Sequence, residues 1–264
     1  MPPQVMSPTF NPIHHPILFT TPYRLHKKSA WTEHTPFAML LVELLKPCLV
    51  VELGTHVGVS YCAFCQAVTG LKLAARCFAV DTWQGDAHAT HYKESVFEEL
   101  CEYHRRYEPF STLLRMTFDQ AAGKFKDRSI DLLHIDGLHT YEAVRHDYQT
   151  WLPKLSERSV VLFHDTMETA GDFGVHQLWR ELAPMHPSFQ FEHGHGLGIL
   201  AVGEQAAPPL IDFLREANSQ PENFRRLFST LGRKVLLETE RQWLAKLSPI
   251  ERSLSVLNRK KFPT

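Results

Sequence analysis

Five short apolar runs alternate with amphipathic stretches between residues 48 and 164, and this alternation constrains the fold more than any other feature. Each run has the length of a strand and is continuously apolar, as expected for a strand that is covered on both faces. Strands that alternate with helices form parallel sheets with right-handed crossovers. The sequence therefore predicts an α/β, doubly wound sheet with strands CLVVEL (48–53), RCFAVD (76–81), TLLRM (112–116), IDLLHI (130–135) and SVVLFH (159–164).

The clearest predicted helix covers residues 140–155. Its apolar residues fall on one face, and they are Val144, Tyr148, Trp151, Leu152 and Leu155. The residues predicted to face outward are Arg145, His146 and Gln149. A second helix is predicted before the first strand, with Thr35 as its N-cap, Pro36 at its first position and Pro47 at its end.

The two ends of the chain differ from this central pattern. Residues 1–30 carry repeated prolines without periodicity, which predicts an extended arm. The runs SFQFEH and LGILAVG are separated only by GHG and predict an antiparallel hairpin that closes a domain over residues 31–203. Residues 204–264 are helical in pattern and predict an extension that packs on this domain or on a second subunit, which would make the chain a homo-oligomer.

Composition and charge narrow the class of protein. The 264 residues are 44% apolar and carry a net charge of −1, so we expect no nucleic-acid partner. No apolar stretch reaches the roughly 20 residues that span a bilayer, and the first residues lack the form of a signal peptide. We therefore expect a cytoplasmic protein. Cys62 and Cys65 form a C-x-x-C within an apolar helical stretch, which favours packing in the core over redox chemistry.

A glycine-containing loop follows the first strand in VVELGTHVGVSYCAF. Gly54 and Gly58 lie where open α/β sheets bind nucleotide-like ligands, because the backbone approaches the ligand closely there. His56 replaces the second glycine of the dinucleotide fingerprint, and the lysine of a P-loop is missing. Glu52 precedes the loop, and Asp81 ends the second strand, where a carboxylate can accept both hydroxyls of a ribose.

These residues resemble the glycine loop and acidic strand end of class I S-adenosylmethionine-dependent methyltransferases. The resemblance covers about residues 31–203 and implies the strand order 3-2-1-4-5-7-6, with strand seven antiparallel. In this family the acid after the second strand holds the ribose, and Trp83 would offer a stacking surface beside it. Phe118 and Asp119 follow the third strand, where the family frames the adenine, although Asp119 is equally suited to be a helix N-cap. The cofactor residues that the resemblance implies are Glu52, Gly54, Thr55, His56, Gly58, Ser60, Asp81, Thr82, Trp83, Phe118, Asp119 and Asp136.

The same strand order makes the fourth and fifth strands neighbours. Asp136 would then lie beside His164 and Asp165 at the carboxyl ends of these strands, with His139 one turn beyond. Carboxylates and an imidazole grouped in this way suit Mg²⁺ or Mn²⁺, whereas each aspartate alone could simply cap a turn. The segment also resembles a subgroup that includes metal-dependent macrolide sugar O-methyltransferases and relatives of cephalosporin hydroxylases. That resemblance implies metal ligands at Asp136, His164 and Asp165, with histidine in the place of an acid at 164.

Methyl transfer requires an aligned acceptor whose oxygen loses a proton. His139 is the first candidate for the base and His164 the second, with Asp136 beside them. Loop histidines that could line an acceptor pocket are His34, His193 and His195. We therefore predict an O-methyltransferase for a small hydroxylated acceptor such as a sugar or glycan unit. The alternatives are a metal-dependent hydrolase on the Asp/His cluster, or a non-catalytic cofactor-binding module that partners a glycosyltransferase.

Overall fold

The computed structural model describes residues 10–27 and 29–248, and a mixed sheet of seven strands lies at its centre. The strands of the chain are β1 (Leu49–Leu53), β2 (Arg76–Asp81), β3 (Gly85–Asp86), β4 (Thr90–His91), β5 (Ser111–Arg115), β6 (Ile130–Ile135), β7 (Leu155–His164), β8 (Ser188–Phe191) and β9 (Leu197–Ala201). The sheet has the order β5-β2-β1-β6-β7-β9-β8, and β3 pairs with β4 as a separate hairpin. Because β9 runs antiparallel to both β7 and β8, the predicted order and its antiparallel seventh strand are confirmed.

Helices cover both faces of the sheet, which is why its central strands are apolar on both sides. They are α1 (Thr35–Leu45), α2 (Val59–Gly70), α3 (Glu94–His104), α4 (Phe118–Ala122), α5 (Tyr141–Trp151), α6 (Val175–Leu182), α7 (Pro208–Ser219) and α8 (Pro221–Lys246). On one face, Val50 and Leu132 pack in a cluster with residues of α1, α2, α7 and α8. On the other face, Val51 and Leu133 pack with α4, α5 and α6. The alternation of side chains along each strand therefore divides the core into two layers.

Two predicted helix boundaries are wrong. Helix α5 ends at Trp151 instead of residue 155, because Pro153 lies in a 3-10 turn and Leu155 already begins β7. Leu152 is consequently 41% exposed and does not belong to the buried face. Thr35 is the first residue of α1 instead of its N-cap, since a 3-10 helix over Ala30–His34 leads directly into α1.

The segments that precede and follow the sheet in the chain pack in the same core cluster as α1. In residues 10–27 two 3-10 helices occur, Pro12–His14 and Pro16–Phe19, and the Leu18 side chain is buried. The Phe10 ring contacts Phe213 of α7 and Phe224 of α8. Residues 1–9 of the predicted arm and residues 249–264 of the predicted extension lie outside the described residues. The proposed domain boundaries stay a prediction.

The two cysteines of the C-x-x-C lie in the core, as predicted from the apolar stretch around them. The thiols of Cys62 and Cys65 are buried in α2, and burial raises the pKa of Cys62 to about 12 and that of Cys65 above its ordinary value. Both thiols are therefore held in the unreactive protonated form. Within residues 10–27 and 29–248, every helix is too short or too polar to cross a membrane.

Candidate cofactor cleft and Asp/His cluster

A cavity of about 470 Å³ lies at the carboxyl ends of β1, β2, β6 and β7. This is the end of the sheet at which open α/β folds bind their ligands. The predicted site residues that line it are Gly54, Thr55, His56, Ser60, Asp81, Thr82, Phe118, Asp136, His139, His164 and Asp165. The cavity therefore brings the glycine loop and the polar strand ends into one cleft.

The backbone of the glycine loop passes very close to its neighbours. Gly54 has φ +86°, and a Cβ atom there would lie 1.9 Å from the carbonyl oxygen of Asp136. Gly58 has φ +76°, and its Cβ would lie 2.5 Å from Cδ1 of Leu100. Both positions need glycine, Gly54 because β6 ends against the loop and Gly58 because α3 packs against the start of α2.

Asp81 connects the glycine loop to the end of β2. Its Oδ2 accepts a hydrogen bond from the backbone N–H of His56 at 2.8 Å, and its Oδ1 accepts one from the N–H of Trp83 at 2.7 Å. Burial raises the pKa of Asp81, and these two amides act against that shift. The N–H of Thr55 also acts on this carboxylate, but a carboxylate has about four acceptor sites, so the group can still accept a hydroxyl donor from the cavity.

Trp83 does not provide the predicted stacking surface. Its side chain is buried, and the ring packs against Phe97 at a centroid distance of 4.6 Å. The indole N–H donates to the carbonyl oxygen of His56 at 2.9 Å. The left-handed backbone at Trp83, with φ +52°, turns the ring away from the cavity and into the core.

Asp119 lies outside the cavity, and Thr117 is the N-cap of α4. The Asp119 carboxylate is exposed and contacts His146 at 2.8 Å. A capping box joins Thr117 and Gln120, so the first turn of α4 does not need Asp119 as a cap. Phe118 does line the cavity, as predicted for a residue that frames a ring.

Glu52 is fully buried beneath the loop and does not line the cavity. Its Oε2 lies 2.8 Å from Nδ1 of His134, its partner residue on the adjacent strand β6. The indole N–H of Trp31 donates to Nε2 of His134 at 3.0 Å, and Trp31 itself lines the cavity. Because the indole can only donate, the imidazole proton lies on Nδ1 and is donated to Glu52. Glu52 therefore supports the cavity wall through His134 instead of contacting a ligand.

Two aspartates and two histidines meet on the opposite side of the cavity. Nε2 of His139 lies 2.9 Å from Oδ2 of Asp165 and 3.4 Å from Oδ1 of Asp136. Nδ1 of His164 lies 3.4 Å from the same Asp136 oxygen and 3.3 Å from the same Asp165 oxygen. The predicted juxtaposition of the ends of β6 and β7 is thus present.

The charges of this cluster stabilise one another. Burial disfavours the charged forms, yet the two carboxylates raise the pKa of His139 to about 9 and that of His164 to about 10. The histidines in turn hold the pKa values of Asp136 and Asp165 below their ordinary range, with the charge of His164 as the strongest favourable cause. Two positive and two negative groups therefore balance at this end of the cavity.

The orientation of His164 is fixed from behind the cavity. Its Nε2 lies 3.1 Å from the carbonyl oxygen of Gly194, and Nε2 of His34 lies at the same distance from that oxygen. A carbonyl only accepts, so Nε2 of His164 carries a proton and its Nδ1 faces the carboxylates. Burial and the charge of His164 lower the pKa of His34 well below its usual value.

The remaining predicted histidines do not line the cavity. The His193 ring packs against His34 at a centroid distance of 4.6 Å, in the layer behind His164. His195 is exposed and contacts Glu168 at 3.2 Å. His34 and His193 thus form a support for His164, which differs from the predicted acceptor-pocket role.

The part of the chain that forms most of this cleft matches a known protein family. Residues 51–166 match the family model described as a methyltransferase domain, and they include the glycine loop, Asp81 and the Asp/His cluster. These residues therefore form a methyltransferase domain. The match spans β1 to β7, so it includes every strand end that lines the cavity.

The chain is also similar in sequence to another protein and in fold to solved structures. Over 194 residues, 74% of this chain, it is 50% identical to uncharacterized protein y4gI of Sinorhizobium fredii (strain NBRC 101917 / NGR234). The chain spans about a fifth, 21%, of that relative's length. The fold is similar to the cofactor-bound protein Rv0187 from MTB, with TM-score 0.52, 14% identity and coverage of 69% of this chain and 85% of the other. It is also similar to a proposed O-methyltransferase from Klebsiella pneumoniae, with TM-score 0.51, 17% identity and coverage of 68% and 84%.

Two parts of the cavity wall are not predicted from the sequence. The first is the part of the wall formed by residues 29–31. The hydrogen bond from Trp31 to His134 joins residues far apart in the sequence, so it can be predicted only after β1 and β6 are known to be neighbours. The second is the β3–β4 hairpin, which contributes Gly85, Asp86 and Ala89 to the lining. The hairpin strands are two residues long and lack any alternation of apolar and polar residues, so no periodic signal marks them.

Proposed function

We propose that the methyltransferase domain binds S-adenosylmethionine in this cavity and transfers its methyl group to an oxygen of a small hydroxylated acceptor, such as a sugar or glycan unit. The observation that carries the proposal is the division of one cavity into two chemically different sides. Asp81 and the glycine loop, on one side, suit a ribose and a methionine part. The Asp/His cluster on the other side suits an acceptor hydroxyl that must lose a proton.

His139 is the residue we propose as the base. Nε2 of its ring faces Asp165 and Asp136, whereas Nδ1 is buried and has no hydrogen-bond partner among the described residues. A carboxylate that holds one ring nitrogen leaves the other to accept a proton, as in other histidine bases. In this proposal Asp165 orients the ring, and His139 acts in its neutral form, which the raised pKa of about 9 makes the minor form at neutral pH, to take the proton from the acceptor hydroxyl as the methyl group is transferred.

The same cluster supports a proposal of metal assistance. Within the described residues, ligand atoms of Asp136, His139 and Asp165 lie within 4.8 Å of one another, and two carboxylates with an imidazole suit Mg²⁺ or Mn²⁺. His164, the predicted third ligand, also points Nδ1 at both carboxylates. A divalent cation there would act as a Lewis acid that lowers the pKa of the acceptor hydroxyl. This donor set also supports the likeness to metal-dependent sugar O-methyltransferases.

The proposed activity is tested by release of S-adenosylhomocysteine from S-adenosylmethionine with a panel of hydroxylated sugars and glycans. We expect release that depends on an acceptor, decreases after treatment with a chelator, and recovers when Mg²⁺ or Mn²⁺ is added. Turnover that is insensitive to chelation would remove the metal from the proposal and leave His139 as the sole activator. Failure of every hydroxylated acceptor, with turnover of an amine or thiol acceptor instead, would contradict O-methylation.

A further inference from the structure

His56 occupies a backbone position that is suited to glycine. Its φ is +49°, in the left-handed region that residues with a Cβ rarely adopt. The backbone contacts of this residue, from its N–H to Asp81 and from the Trp83 indole to its carbonyl oxygen, would all be available to glycine. The backbone therefore gives no reason for a histidine, and a reason has to be sought in the contacts of the ring.

The ring of His56 stacks on the ring of Tyr92. The centroids are 4.4 Å apart and the planes are inclined by 13°. Both residues line the cavity, and Tyr92 follows directly after β4. The N–H of Tyr92 donates to the carbonyl oxygen of Gln84 at 3.1 Å, which closes the base of the β3–β4 hairpin. The stack thus connects the glycine loop to the hairpin.

The tip of the hairpin is held on the other side of the cavity. Nε2 of His88 lies 2.8 Å from Oδ1 of Asp172, and the His88 ring stacks on Phe173 at 4.5 Å with an inclination of 8°. The His88 ring also stacks on His139 of the Asp/His cluster at 5.6 Å. The hairpin therefore extends from the glycine loop to the cluster, with Gly85, Asp86 and Ala89 lining the cavity between these anchors.

We propose that His56 and Tyr92 form a ring clamp that fixes the hairpin over the cofactor side of the cavity and slows the dissociation of the cofactor. The inference rests on the proposed function, because it takes S-adenosylmethionine and its product to be the ligands. In this account His56 keeps the left-handed conformation of a glycine and adds the contact that a glycine lacks. It is a positioning residue that acts on the ligand through Tyr92 and the hairpin.

The test measures binding of S-adenosylhomocysteine by calorimetry and its dissociation rate by stopped flow, together with the melting temperature of the ligand-free protein. We expect His56→Gly to weaken binding about five- to tenfold, mainly through faster dissociation, on the scale of one aromatic contact. Its melting temperature should change little, since glycine relieves the left-handed backbone and this offsets the loss of the stacked ring. Tyr92→Leu should lose a similar factor, whereas Tyr92→Phe, which keeps the stacked ring, should bind like the wild type.

A double variant separates a clamp from two independent contacts. Combining His56→Gly with Tyr92→Leu should weaken binding no further than either change alone, because both remove the same contact. His91→Ala, an exposed neighbour in β4, is the matched control and should bind like the wild type. Wild-type affinity in both single variants, or losses that add in the double variant, would overturn the clamp. A wild-type protein that does not bind S-adenosylhomocysteine would instead refute the proposed function.

Discussion

Replacing Asp81 by alanine should weaken S-adenosylhomocysteine binding at least about 50-fold. Hydrogen bonds to an ionised acceptor contribute about 1.5–3 kcal/mol each, and the account assigns two ribose hydroxyls to this carboxylate. The carboxylate also holds the N–H groups of His56 and Trp83, so its loss loosens both loops at the ribose end. Calorimetry of the variant measures the loss, and Asp81→Asn, which keeps an acceptor oxygen but lacks the charge, should be intermediate.

Asp119→Ala is the matched control for Asp81. The sequence predicts a cofactor contact for both residues, but the Asp119 carboxylate is exposed and outside the cavity. The control should therefore bind S-adenosylhomocysteine like the wild type. Equal losses in the two variants would show that the ribose end does not lie at Asp81. A melting temperature for each variant separates a loss of binding from a loss of folding.

His139→Ala should reduce turnover about 100- to 10,000-fold while S-adenosylhomocysteine binding stays within about threefold of the wild type. The expected loss is large because the ring lines the cavity and is held there by Asp136 and Asp165. The measurement is turnover with the best acceptor found in the panel. His146→Ala, an exposed histidine on α5, should retain wild-type turnover. Full turnover of His139→Ala would assign proton removal to His164.

The sequence predicts the sheet well because each strand is marked by a short local pattern, an apolar run, that recurs along the chain. Each buried strand is an apolar run such as Ile130–Ile135, and the reversal at the end follows from two runs that are separated by only three residues. The polar strand ends follow from the sheet, since Asp81, Asp136 and Asp165 must lie at the edge where the parallel strands finish. The grouping of these polar strand ends in one cleft can therefore be predicted from the sequence.

The direction in which a side chain points beyond the end of a strand is harder to predict from the sequence. Trp83 follows Asp81 by two residues, yet one left-handed backbone conformation turns its ring into the core. Glu52 belongs to the loop motif by its position in the sequence, but the pleat of β1 directs it to His134 on the next strand. Asp119 is exposed because Thr117 already caps α4. For Trp83 and Glu52 a single dihedral angle or a tertiary contact decides, and neither leaves a pattern in the sequence. For Asp119 the capping box of Thr117 and Gln120 is a local pattern that favours Thr117 as the cap.

A calorimetric titration of the wild-type protein with S-adenosylmethionine, with and without Mg²⁺ or Mn²⁺, tests directly whether the cavity binds the cofactor. We expect saturable binding of one cofactor per chain, competition by S-adenosylhomocysteine, and loss of this binding in Asp81→Ala. Absence of binding under every condition, in protein that unfolds cooperatively on heating, would contradict the assignment of the cavity as a cofactor cleft.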